Sequence, residues 1–355
     1  MKIALITDTH WGIRNDSQIM HDQMKRFLDE IFFPILDREN ISTVIHLGDL
    51  VDRRKYINYM TAKRLRDDFL EPLKSKQITM HIIAGNHDTF YKNTNKINAL
   101  KELVIDKYDN VQVYDDLPDE RVFGSTTILM LPWICDENKE ASMEVIRNSR
   151  SPIVMGHLEL NGYEMYRGHV SDHGDDPKIF DKFDLVCSGH YHTRSSSGNI
   201  HYLGTPCQYN WSDYNDPKGF HILDTETREL TFIENPYNIY YKIFYDDLDK
   251  AYEEIVSVNV EPYKNCYVKM VVKNKTNPYW FDMVIDKIEK IGVADLQVVE
   301  DHLNLDMSED ADIVNEAEDT ISIIKNYIGA MNLTNDRKRV ENIIQSLYIE
   351  AHEIE

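Results

Sequence analysis

The sequence predicts a layered α/β fold, on three observations. Short apolar runs recur through its first two-thirds, at Ile3 to Ile6, Thr43 to Leu47, His81 to Ala84, Ile128 to Leu131, Ile153 to Met155 and Leu185 to Cys187. Runs this brief and this apolar read as buried strands. Helical periodicity lies between several of them, as in Met24, Phe27, Leu28, Ile31 and Leu36, so strand alternates with helix. Finally, 355 residues exceed the length at which one hydrophobic core stops growing, roughly 250 to 300, so a second, smaller domain is expected.

Beyond His190 the spacing shortens. Ile200 to Leu203, Phe220 to Leu223 and Leu230 to Ile233 are separated by turn-rich segments such as Tyr214-Asn215-Asp216-Pro217, which predicts a β-meander in a second sheet. Pro236 marks the expected end of a first domain, 1–236. Residues 237–306 then read as strand, helix, strand, helix, strand, a small α+β cap. Within it, alternation along Cys266 to Lys273 places Lys269 and Lys273 on one face. In the tail, 307–355, Ile313, Val314, Ala317, Ile321 and Ile324 share one helical face, and Val340, Ile343, Ile344, Leu347 and Ala351 share another. Two amphipathic helices are expected there, with Ser308 as N-cap and a break at Asn332 to Asn335.

The formal net charge is −22, which argues against nonspecific affinity for nucleic acid, because that affinity rests on Lys and Arg displacing counterions. Much of the acid lies at the end of the chain. Glu300 to Glu355 holds fourteen Asp or Glu against four Lys or Arg. Bound divalent cations also reverse the local sign, so net charge constrains the substrate weakly. Four cysteines, Cys135, Cys187, Cys207 and Cys266, are scattered with no CxxC pair, so neither a disulfide framework nor a thiolate zinc site is suggested. With no apolar stretch long enough for a spanning helix, a soluble, cytoplasmic protein is expected.

Chemistry-bearing residues stand just past the apolar runs: Asp8 and His10 after the first, Asp49 after the second, Asn86 after the third, His157 and His190 after later ones. In open α/β sheets ligands collect at that edge. Period-two spacing in Asp8-Thr9-His10 and His190-Tyr191-His192 sends both side chains of each pair the same way, as a chelate requires. Oxygen and imidazole donors without thiolates suit manganese, iron or zinc. Asp49 can bridge two cations through its two oxygens, and a bridged pair activates water for in-line attack on a phosphate ester. His21, His46, His81, His169, His173 and His201 read as structural.

The motifs DTH at Asp8 to His10, GDLVD at Gly48 to Asp52, GNHD at Gly85 to Asp88, GH at Gly156-His157 and GHYH at Gly189 to His192 resemble those of the calcineurin-like metallophosphoesterases. Within that superfamily the chain is similar to the SbcD-type recombination nucleases, including those of T-even phages. The resemblance implies a four-layer αββα sandwich with a cap and a C-terminal helical hairpin. It implies two divalent ions, manganese, one held by Asp8, His10, Asp49 and His192 and the other by Asp49, Asn86, His157 and His190. His87 would then be the acid facing the phosphate, with Asp52 orienting it.

A nuclease of this branch would hydrolyse DNA as a 3′ to 5′ exonuclease, with endonuclease action at hairpins or single strands. It would work as a homodimer, and through 307–355 it would bind an SbcC-type coiled-coil ATPase. Arg14, Arg53, Arg54, Lys92 and Arg167, near the metal motifs in sequence, together with Lys269 and Lys273, are the candidate DNA contacts. Two other readings remain open: a protein or small-molecule phosphatase or phosphodiesterase of the same superfamily, and a non-catalytic scaffold for the ATPase. Gly48 to Arg54 echoes the phosphatase GDxVDRG, but Lys55 follows, and Asp88 stands where protein phosphatases have Glu.

Overall fold

A computed structural model of the chain describes residues 1–166 and 168–300. Arg167 and the expected tail helices lie outside the described residues. The strands, in chain order, are β1 (Lys2–Ile6), β2 (Thr43–His46), β3 (Thr79–Ile83), β4 (Val111–Tyr114), β5 (Asp119–Phe123), β6 (Thr126–Leu131), β7 (Ile153–His157), β8 (Glu164–Tyr166), β9 (His169–Val170), β10 (Leu185–Gly189), β11 (Ser195–Ser197), β12 (Ile200–Tyr202), β13 (Gly219–Asp224), β14 (Leu230–Glu234), β15 (Tyr240–Asp246), β16 (Tyr267–Asn274) and β17 (Asp295–Glu300).

Two six-stranded sheets carry the fold. One has the order β14-β13-β1-β2-β3-β4 and the other β11-β12-β10-β7-β6-β5. Strands β1 to β4 are parallel, as are β6, β7, β10 and β12, while the outer strands β13, β14, β5 and β11 pair antiparallel.

Strand alternation sorts the side chains into three cores. Ile3 and Leu5 of β1 meet Ile153 and Met155 of β7 and Cys187 of β10 between the sheets. Ala4 and Ile6 turn the other way, into a helical layer containing Phe27, Phe32 and Phe69. On the far side, Val154 and Val186 pack with Ile146 and Phe180. The order is therefore helix, sheet, sheet, helix, the four-layer sandwich expected. Burial on both faces explains why the central strands read as unbroken apolar runs.

Two of the helices carry a widened turn. Gln18–Phe27 continues through a π-helical segment, Leu28–Phe32, into Phe33–Glu39; Tyr59–Arg64 continues likewise through Leu65–Leu70 into Glu71–Ser75. Each widening ends just before a proline, Pro34 or Pro72. A proline ring crowds the carbonyl four residues back and donates no N–H, and a looser preceding turn relieves both.

The expected meander does not form. Ile200–Tyr202 pairs with β10 in the second sheet, whereas Gly219–Asp224 crosses to pair antiparallel with β1 in the first, followed by Leu230–Glu234. Sequence spacing shows strand succession but not which sheet edge is open. Strands β4 and β5 also went unread, because β5 is largely exposed at a sheet edge and lacks an apolar run.

In the smaller sheet, β15, β16 and β17 are parallel, with helices at Tyr252–Val256 and Pro278–Lys290 between them, in the element order expected. Its own core gathers Tyr245, Met270, Val272, Phe281 and Ile288. Asn277 caps the longer helix by accepting from the Tyr279 and Trp280 amides. Lys269, expected to face a DNA backbone, does not face solvent. It is 4% exposed, and its ammonium lies 4.6 Å from the centre of the Trp211 ring. Alternation does point Lys269 away from the small core, but the Trp211 segment covers that face. Lys273, further along the same face of the strand, is exposed.

Candidate metal centre

The loops that follow β1 and β2 continue the parallel ladder beyond the strands. Asp8 N donates to Gly48 O at 3.0 Å, His10 N to Asp49 O at 3.1 Å and Trp11 N to Leu50 O at 2.9 Å. Along them the backbone turns left-handed at Asp8, His10 and Asp49, and again at His190. Such conformations are costly for these residue types and persist where the surroundings hold them. Close approach explains the neighbouring glycine: a Cβ on Gly85 would lie 2.2 Å from Asp49 Oδ1.

All seven expected ligands converge here, from both sheets. Asp8, His10 and His192 form one group, and Asp49, His157 and His190 a second. His10 Nε2 lies 3.2 Å from His192 Nε2 and 3.9 Å from Asp8 Oδ1. In the second group, Asn86 Oδ1 is 3.0 Å from His157 Nε2 and 2.9 Å from His190 Nδ1. Asp49 stands between the groups. Its Oδ2 faces His10 Nε2 at 3.6 Å and His157 Nε2 at 3.4 Å, while Oδ1 accepts the His87 backbone amide at 2.7 Å.

The residues fit a pair of cations. His157 Nδ1 donates to Leu47 O at 2.7 Å, which leaves its Nε2 lone pair aimed at the oxygens of Asn86 and Asp49. A carbonyl that fixes the far nitrogen of an imidazole is the usual support of a metal-binding histidine. Lone pairs converging on one point call for positive charge between them. That demand shows in His157: burial opposes its charged form, yet Asp49, Asp8 and the Leu47 carbonyl raise it to about 9. Burial and repulsion from Asp49 push Asp8 up to about 6, although nearby histidines pull it back. Asp49 is held well below the ordinary range: burial opposes this, but His157, His10 and His87 outweigh it. Burial lowers His190 and His192 to about 3, assisted by neighbouring histidines, so both present neutral imidazoles.

His87 stands beside the first group, its ring 4.8 Å from that of His10, edge to face. Its Nδ1 donates to the backbone carbonyl of Asp52 at 2.6 Å, leaving Nε2 for an external oxygen. Burial lowers its pKa, against the pull of Asp49. The Asp52 carboxylate points elsewhere, with Oδ1 3.4 Å from His10 Nδ1. Asp52 thus meets both histidines, one through each kind of oxygen.

The basic candidates differ in their surroundings. Arg54 is half-buried near enough to Asp49 to feel its field, and its Nη1 has no hydrogen-bond partner among the described residues. Arg53 is bound to Asp16 at 2.7 Å. Arg14 lies over the Tyr267 ring at 5.3 Å, and Lys92 is exposed.

Three supporting groups escaped sequence reasoning. The buried Asp88 carboxylate accepts from the amides of Leu50, Val51 and Gly85, tying the loop after β2 to the loop after β3. Burial and Asp49 raise it to about 7 despite those donors. The Tyr209 hydroxyl donates to the carbonyls of Asp8 and Thr9, and its ring packs edge-on against His10 and His192. Buried Lys218 pairs with Asp213 at 2.6 Å and Asp216 at 2.7 Å, and donates to the His192 carbonyl at 2.8 Å. Asp88 lies inside a recognised motif; Tyr209 and Lys218 sit in the turn-rich stretch, where no local signal marks them.

Comparison with known proteins agrees with this geometry. Residues 1–194 match the model of the calcineurin-like phosphoesterases. The chain is 34% identical over 358 residues to exonuclease subunit 1 of Enterobacteria phage T4, covering 99% of each. It is 27% identical to an SbcCD nuclease subunit of Staphylococcus epidermidis, over 80% of this chain and 79% of that one. With the DNA double-strand break repair protein Mre11 of Sulfurisphaera tokodaii it shares 26% identity, over 54% of this chain and 49% of that one. With the residues gathered at the strand ends, the two-sheet sandwich and a family match over residues 1–194 in agreement, the chain belongs to the calcineurin-like phosphoesterase family.

Proposed function

We propose that this chain is a DNA nuclease that hydrolyses phosphodiesters at a two-metal centre, as the catalytic subunit of an SbcCD- or Mre11-type complex. The observation that carries the reading is the pair of ligand groups sharing Asp49 Oδ2, in a chain similar along its whole length to an exonuclease subunit. Manganese suits the oxygen and imidazole donors. Two such ions supply a water of lowered pKa and charge neutralisation at the phosphoryl oxygens.

The chain's own residues supply position and protons. Asp8, His10, Asp49 and His192 hold one ion; Asp49, Asn86, His157 and His190 hold the other. With Nδ1 fixed on the Asp52 carbonyl, His87 presents Nε2 to the departing sugar oxygen. A phosphate anion beside it favours the imidazolium that burial disfavours, and the proton then passes to the leaving group. Arg54, whose Nη1 has no hydrogen-bond partner among the described residues, holds a phosphate oxygen in this reading.

The reading extends to organisation: a catalytic domain to 236, a cap over 237–306 carrying Lys273, and 307–355 docking a coiled-coil ATPase. Cleavage runs as a 3′ to 5′ exonuclease, with endonuclease action on single strands. Self-association is supported by the exposed Tyr56, Tyr59, Met60 and Ile97. The deciding assay offers the purified chain, with manganese, labelled duplex DNA and a phosphopeptide. Release of nucleotides from the duplex alone is expected; dephosphorylation of the peptide alone would reject the reading.

A further inference from the structure

A cavity of about 300 Å³ opens beside the second ligand group, and nothing above uses it. His157 forms part of its wall, so the cavity and the metal centre share a residue. Apolar and aromatic residues, Trp133, Leu158, Ile179 and Phe180, line part of the cavity. Trp133 also borders the ligands, its ring centre 6.1 Å from that of His157 and 5.2 Å from that of His190. The indole Nε1 is buried and has no hydrogen-bond partner among the described residues. Buried donors are almost always satisfied, and an acceptor on a ligand accounts for this one.

The rim limits what can enter. Lys139 is already bound to Asp175 at 2.8 Å, and the exposed Glu159 adds a second carboxylate. With its ammonium neutralised and one acid in excess, this mouth repels a further phosphate and admits an uncharged group.

We infer that the cavity seats the nucleobase of the nucleotide whose phosphate is held at the metal centre, an inference that rests on the nuclease reading. A base is flat and uncharged, and its edge carries carbonyl or ring-nitrogen acceptors. Its face stacks on an aromatic wall, and its edge takes the Trp133 N–H. Because every base has a π-face and an acceptor, the site distinguishes base from no base far more than one base from another. Placement of the base in turn fixes which phosphate reaches the metals.

The test pairs a change in the substrate with a change in the protein. The full chain, with manganese, is given duplexes whose terminal nucleotide is either ordinary or abasic, and bis(p-nitrophenyl) phosphate as a diester without a base. Loss of the base is expected to raise KM about tenfold, the order of one base–aromatic stack. Ile179→Trp, which fills the cavity, should remove the difference between the two duplexes. Equal cleavage of ordinary and abasic ends by the unaltered chain would overturn the inference and leave the nuclease reading standing. Cleavage of bis(p-nitrophenyl) phosphate with none of either duplex would overturn both.

Discussion

At the scale of the residue, the proposed function separates the residues assigned to metal from His87, assigned to the proton. His87 meets its neighbours through its backbone amide to Asp49, its Nδ1 to the Asp52 carbonyl and the edge-to-face contact of its ring with His10. His87→Ala is therefore expected to bind manganese with little change by calorimetric titration, while kcat falls by roughly 10²- to 10⁴-fold. Unchanged cleavage would remove His87 from the chemistry. A second histidine makes the opposite point. His221 is buried on β13, its Nδ1 has no hydrogen-bond partner among the described residues, and burial, with Arg194 adding, lowers it to about 3. Its unfolded value is about 6.5. Since the folded value is the lower one, unfolding takes up a proton at acid pH. Stability is therefore full above about pH 6.5 and declines as pH falls, by up to about 1.4 kcal/mol per pH unit until the folded value is reached. Between about pH 6.5 and 5, His221→Leu should lose about 2 kcal/mol less than the unaltered chain in denaturant titrations.

At the scale of the element, strand ends decide where chemistry can occur, and this is why so much of the site was legible. Ligand types stand directly past apolar runs, and both strand ends and ligands leave local marks in a sequence. Asp49 shows the limit: its place between the two groups follows from order along the chain, but the His87 amide donating to its Oδ1 comes from a different loop and leaves no local mark. Lys269 shows another, because alternation gives the side of a strand and not what covers it. The strands were readable where they carry apolar runs and not at the exposed edge strand β5, while at β13 the strand was readable but its sheet was not. The loops themselves are tightly interlocked. Gly85→Ala would press a methyl group against Asp49 Oδ1 at 2.2 Å and its amide nitrogen at 2.3 Å. Displacement of the Asp49 loop is expected to cost about 1 to 3 kcal/mol of stability and to weaken manganese binding, both measurable by calorimetry.

At the scale of the whole molecule, several exposed apolar residues lie near the start of one helix. Tyr59 is 95% exposed and Tyr56 65%, with Met60 and Ile97 also outside the cores. Large exposed aromatics of this kind mark contact surfaces. If two copies meet here, Tyr59→Arg should shift sedimentation of the chain from dimer to monomer at micromolar concentration while diesterase activity on bis(p-nitrophenyl) phosphate persists. A dimer unaffected by the change would place the contact elsewhere.

The origin of the seven ligands has a further consequence. Asp8, His10, Asp49 and Asn86 follow strands of one sheet; His157, His190 and His192 belong to the other. Between the sheets lies an apolar core, which has no directional bonds to prevent one sheet sliding on the other. Cations held by these residues would rivet the sheets at one rim, which would make metal occupancy part of the folding equilibrium. At a free manganese concentration a hundred times Kd, mass action adds about 2.7 kcal/mol. A chelator should accordingly lower the thermal midpoint and speed amide exchange first at the ends of β1 and β10, the strands whose following loops grip the cations from opposite sides.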